Sequence, residues 1–225
     1  METMNEIAKN SNPRDGVPKL ILVCGPWSSG TTAVSGMLEK LGLKGLAPYF
    51  QTNDARTKNS YESMAFRESV GRVASEQSVS LKVDRKAAAV EMLAFRDRVM
   101  KGDYGFVDPN QTLFLKYPLS GLLIPEICQV FQTRLVYVLR PLKEIEATRS
   151  RRGWGANFGE EGAKRIYSIM FDIQVNMPVP TLVLRYPELI ARPAPYTRQL
   201  AAFCGLDPDN APIEAAADFI RRPEK

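Results

Sequence analysis

An apolar run, Leu20–Cys24 (LILVC), passes straight into Gly25-Pro-Trp-Ser-Ser-Gly30-Thr31-Thr32 and then into a stretch of helical periodicity. Ala33, Val34, Met37, Leu38 and Leu41 share one helical face, and Gly42 supplies the stop. Three more short apolar runs, Thr112–Leu115, Arg134–Leu139 and Thr181–Leu184, follow, separated by longer helical stretches. Strands without alternating polar residues must be covered on both faces, and strands that alternate with helices pair in parallel. The expected fold class is therefore α/β, a three-layer α/β/α arrangement with a central, mostly parallel sheet.

The spacing from Gly25 to Gly30 matches the phosphate-cradling pattern GxxxxGK[ST], in which backbone N–H groups and a helix N-terminus surround an anion. Thr31 stands where that pattern has its lysine, which disfavours a magnesium nucleoside triphosphate and favours a shorter 5′ anionic group. Ser29, Thr31 and Thr32 add hydroxyls beside the Gly30 and Thr31 amides, a metal-free set of donors for an oxyanion.

Composition narrows the chemistry. The chain has 225 residues, 44% of them hydrophobic and 24% charged, with a net charge of +5 that suits an anionic small ligand without requiring nucleic acid. It has no histidine, which removes Ser/His/Asp and Cys/His catalysis and leaves proton transfer to a carboxylate, Lys, Tyr or Cys. Cys24, Cys128 and Cys204 are widely spaced, as expected of free thiols in a reducing, cytoplasmic setting, with no zinc pattern. No apolar run has the length of a membrane span. Residues 1–17 read as a loose leader and 18–225 as a single domain. Lys86 to about Met100 is expected to be a helix with Ala89, Val90, Leu93 and Val99 on its apolar face, and Gly153–Gly162 a loop-like lid.

The segment GPWSSGTTAVSGMLEKLGL resembles the 5′-phosphosulfate loop of sulfotransferases, usually PKSGTT or a bacterial RSGT[ST]. Phe114-Leu-Lys116-Tyr-Pro118 is similar to that family's lysine-bearing strand end, often KDPR. Leu135 to Pro141 with Thr148 is similar to its 3′-phosphate motif, and Leu184-Arg-Tyr186-Pro-Glu188-Leu189 followed by Leu200–Leu206 is similar to its YEDL segment and subsequent helix. The resemblance implies the P-loop-like sulfotransferase fold. It also implies transfer of a sulfuryl group from 3′-phosphoadenosine 5′-phosphosulfate (PAPS) to a hydroxyl or amine of a small-molecule or saccharide acceptor.

On that resemblance Ser28, Ser29, Gly30, Thr31 and Thr32 hold the 5′ end. Arg140 grips the 3′-phosphate with Thr148, or Ser150 in its place, and Tyr186 stands on the adenine side. Lys116 stabilises the leaving phosphate, and Glu62, in Asn59-Ser-Tyr61-Glu62-Ser63, matches the glutamate that bacterial members carry in segments such as GYFE and is the candidate base. Trp27 is read as a cover for the acceptor site or a core residue, Trp154 and Phe158 as adenine caps, and Lys143, Arg149, Arg151 and Arg152 as a solvated face. The sequence departs from the family pattern at Ser28 and Leu119, where cations are usual, and at Pro118, where cytosolic animal members have histidine; Arg56 and Lys58 are possible substitutes for the missing charge. Two other classes stay open on the residues alone, a P-loop small-molecule kinase and a non-catalytic nucleotide-binding protein.

Overall fold

Along β1 (Lys19–Cys24) the side chains of Leu20, Leu22 and Cys24 enter one apolar cluster and those of Ile21 and Val23 another, so the strand is buried on both faces. The computed structural model describes residues 17–53, 59–106, 108 and 111–220; the leader, Arg56 and Lys58 lie outside it, apart from position 17. After β1 come α1 (Thr31–Lys40), an antiparallel pair β2 (Tyr49–Gln51) and β3 (Asn59–Ser63), and α2 (Met64–Val73). A second short antiparallel pair, β4 (Ala74–Ser75) and β5 (Ser80–Leu81), precedes α3 (Arg85–Met100) and β6 (Leu113–Lys116). A buried 3-10 turn, Pro118–Leu123, runs into α4 (Ile124–Val130), followed by β7 (Gln132–Leu139), α5 (Leu142–Arg152), α6 (Glu160–Asn176) and β8 (Thr181–Arg185). The described chain closes with α7 (Tyr186–Ala191), α8 (Pro193–Phe203) and α9 (Ile213–Asp218).

The four apolar runs form one parallel sheet in the order β6-β1-β7-β8. Leu113, Leu115, Leu135 and Tyr137 share the face of Leu20 and are covered by α2, α3, α4 and α6, while Phe114, Val136, Val138, Leu182 and Leu184 share the opposite face with α1, α8 and α9. These are the three expected layers. From β1 the chain moves to β6 on one side and then crosses to β7 on the other, so the strand order reverses between β1 and β7. The crevice at the carboxyl ends of strands beside such a reversal is where open α/β sheets bind ligands. It is bordered here by the glycine loop and Arg140.

Helix α3 forms where expected but turns a different face inward. Ala88, Met92, Phe95 and Val99 are buried, whereas Val90 and Leu93 are 67% and 42% exposed. Val90 lies about 200° around the helix from Ala88, and the larger Met92 and Phe95 side chains decide which stripe enters the core. The Phe66 and Phe131 rings pack at a tilt against Phe95 there, and Tyr104 stacks on it.

Candidate active site

The loop after β1 closes on itself through Ser29 N donating to Pro26 O at 3.1 Å. Helix α1 then starts from Gly30, whose φ of 104° lies in the left-handed region, with no side chain capping the helix. Its first-turn amides are thus not taken by a capping side chain. Ser28 also adopts a positive φ, 64°, and the hydroxyls of Ser28 and Ser29 are buried without a hydrogen-bond partner. Buried polar groups are rarely left so, and the loop chemistry of hydroxyls and amides fits an oxyanion. A Cβ on Gly30 would overlap the Tyr186 ring at the start of α7. Gly30→Ala is therefore expected to lower stability by about 1–2 kcal/mol from backbone strain alone, with ring displacement in addition. Denaturant unfolding measures it, and a wild-type midpoint would show that loop and ring move apart freely.

Arg140, just past β7, reaches back over this loop. Its Nη1 donates to Ser28 O at 2.8 Å and Thr148 Oγ1 at 3.3 Å, its Nε pairs with Glu144 Oε2 at 3.0 Å, and its guanidinium carbon lies 5.1 Å from the Tyr186 ring centroid. The Tyr167 hydroxyl accepts from Arg140 N at 2.8 Å and lies 3.2 Å from Arg140 O, holding the strand end; burial pushes that phenol up to about 12. Thr148 therefore meets Arg140 and Ser150 does not: two residues further on α5, its hydroxyl accepts instead from Arg149 Nη2 at 3.0 Å. Arg149 is no freely solvated charge. It pairs with Glu146 and donates to Trp154 O at 2.6 Å, while Glu146 Oε2 accepts from Glu160 N, so the expected lid is tied to α5 at its base. Trp27 is 8% exposed within the core, with the Phe158 ring edge-on at 4.9 Å, and Trp154 packs on Phe158 and Arg152.

On the other flank, β6 ends in Lys116, 4% exposed. Its Nζ donates to Glu62 Oε1 at 2.7 Å, Ser60 O at 3.2 Å and Thr32 Oγ1 at 3.3 Å. Glu62 sits at the end of β3 just before Ser63, which caps α2 through Phe66 N. Its position is set by a tight local bend: Tyr61 has a φ of 58°, Asn59 Oδ1 accepts from Tyr61 N, and Ser60 Oγ accepts from Glu62 N. The second carboxylate oxygen of Glu62 accepts from Arg67 Nη1 at 2.6 Å; Arg67 Nη2 also reaches Glu76 at 3.1 Å, and Tyr117 OH donates to Glu76 at 2.6 Å. Arg67, Glu76 and Tyr117 carry no signal in the sequence, because their partners come from separate elements. Pro118 and Leu119 turn into the core, so no charge returns to the loop from that segment.

The three thiols and the phenols of Tyr61 and Tyr117 are poor proton acceptors. Burial pushes Cys24 and Cys204 up to about 12 and raises Cys128; Tyr61 is also raised to about 12, and Tyr117 higher still, first by burial and then by its bond to Glu76.

No protein-family model and no curated protein matches the chain. Solved structures do. A sulfotransferase domain from the curacin biosynthetic pathway superposes with a TM-score of 0.53 at 16% identity, covering 89% of this chain and 82% of its own. One from the Synechococcus PCC 7002 olefin synthase gives 0.54 at 16%, covering 84% and 74%, and a Mycobacterium tuberculosis H37Rv sulfotransferase gives 0.56 at 13%, covering 91% and 71%. The chain has the sulfotransferase fold. At these identities the likeness is one of fold, and within the sulfotransferase fold this chain brings its own side chains to the strand ends: Lys116 at the end of β6, the glycine loop after β1 and Arg140 just past β7. Among the described residues no helix is long and apolar enough to cross a membrane.

Proposed function

We propose that the chain transfers a sulfuryl group from PAPS to a hydroxyl or amine of a small-molecule or saccharide acceptor. The observation that carries this reading is the presence of two cations, Lys116 and Arg140, at the ends of the strands either side of the one that feeds the glycine loop, strands about two spacings apart. A donor charged at both its 5′ and 3′ ends needs two anion sites, and a triphosphate site would call for a lysine at position 31, which is Thr31. The unpartnered Ser28 and Ser29 hydroxyls fit the 5′ end. Ser29, Thr31 and Thr32 would hold that end with the loop amides, Arg140 and Thr148 the 3′-phosphate, and Tyr186 the adenine side.

When bound, the donor supplies a sulfuryl group on a phosphate leaving group, a substitution that favours an in-line, loose transition state. Lys116 offsets negative charge at the leaving oxygen, and Glu62 takes the proton from the acceptor hydroxyl as that oxygen bonds to sulfur. The loop and Arg140 orient, which is a large part of what such a reaction asks of a protein. A single domain from residue 18 onward belongs to the same proposal, as does a cytoplasmic setting, with which three free cysteines agree.

Thermal unfolding with added ligand tests it. 3′,5′-Adenosine bisphosphate at ~100 times its dissociation constant is expected to add about 2.7 kcal/mol of stability, a clear rise in Tm, and Mg-ATP little. The opposite ranking would assign the site to phosphoryl transfer, and no shift with either would leave a fold without nucleotide binding.

A further inference from the structure

Resting on the sulfotransferase reading, we infer that Glu62 is withheld as a base until the donor draws Lys116 away from it. The carboxylate consequently opposes donor binding. An ammonium has three N–H donors, and Lys116 directs them at three protein oxygens: Glu62 Oε1 at 2.7 Å, Ser60 O at 3.2 Å and Thr32 Oγ1 at 3.3 Å. Glu62 is equally committed, with Lys116 on one oxygen and Arg67 on the other, and the two side chains of the Lys116 pair are 5% and 7% exposed. Each of the two groups that the reaction needs is consumed by the other.

For Lys116 to meet a phosphate oxygen, one of its three bonds must open. Ser60 O and Thr32 Oγ1 are neutral acceptors that a nearby anion repels far less than it repels a carboxylate. Glu62 is an anion, and two anions beside one buried ammonium repel in a medium that screens them poorly. Glu62 Oε1 is therefore the partner released, and that same oxygen then becomes available to an acceptor proton. Glu62 does not drift when this happens. Arg67 keeps its Oε2 at 2.6 Å and is itself fixed by Glu76 at 3.1 Å, by the Phe50 ring 4.3 Å from its guanidinium carbon, and by Tyr117, whose hydroxyl holds Glu76. Arg67 is thus a positioning residue for the carboxylate.

Titration calorimetry with 3′,5′-adenosine bisphosphate, on the wild-type protein and on Glu62→Gln, tests the inference. The variant keeps the shape and removes the competing charge, so its Kd is expected to fall about tenfold, the scale of one buried charge-assisted hydrogen bond. An equal or weaker affinity in folded variant would overturn the inference while leaving the sulfotransferase reading intact; no binding by either protein would overturn both. A structure of the wild-type complex gives an answer that needs no variant: the Lys116 Nζ to Glu62 Oε1 separation is expected to open to roughly 4 Å or more. Persistence of the contact with bisphosphate bound would sink the idea.

Discussion

Lys116→Met is expected to slow sulfuryl transfer by about 10²- to 10³-fold, the usual loss when one donor to a developing oxyanion is removed. Methionine matches the length of the lysine stem and suits a position that is 4% exposed, and Glu62 keeps Arg67 as a counter-ion, so no wholly uncompensated buried charge is left. The loss should therefore appear in kcat and much less in Tm. Transfer of radiolabelled sulfate to a panel of phenols, alcohols, amines and saccharides, run beside the wild-type protein, reads it. A loss smaller than tenfold would confine Lys116 to holding β3 against β6, the structural task that its bonds to Ser60 and Glu62 already perform.

Arg140→Ala should weaken binding of 3′,5′-adenosine bisphosphate on the order of 10²-fold, since truncating a hydrogen-bonded charge partner costs about 2–5 kcal/mol. Adenosine 5′-phosphate, which lacks the 3′ group, should lose far less, and that contrast separates phosphate recognition from loop support. Arg140 does have a supporting task, because its Nη1 holds Ser28 O. Arg140→Lys is expected to recover little affinity, because a point charge cannot contact Ser28, Thr148 and Glu144 from one planar fork. Equal losses for both nucleotides would show that Arg140 acts by shaping the loop.

The difference between what could and could not be read in advance follows particular residues. The four sheet strands, the glycine loop and α1 were legible because apolar runs of strand length, a Gly-x4-Gly spacing and a helical repeat are local signals. The placement of Lys116 and Arg140 at strand ends was legible because each closes or follows such a run. The buried face of α3 was misread: Val90 and Leu93 are as apolar as Ala88, so two stripes competed, and the bulk of Met92 and Phe95, packed on their neighbours in the core, settles which one is buried. Trp27, read between core and ligand cover, lies in the core, with the Phe158 ring packed edge-on against it. Thr148 and Ser150 were interchangeable on paper, and the two-residue step on α5 separates them.

Sequence alone determined the layers of this protein and the strand ends that carry Lys116, the glycine loop and Arg140, because periodicity and punctuation act over a few neighbouring residues. Tertiary structure decided which charges meet. Lys116 and Glu62 are 54 residues apart in the chain, and Arg140 and Ser28 are 112 apart. Pairings at that range are set by parallel strand order and by which helix covers which face, and no local pattern encodes them.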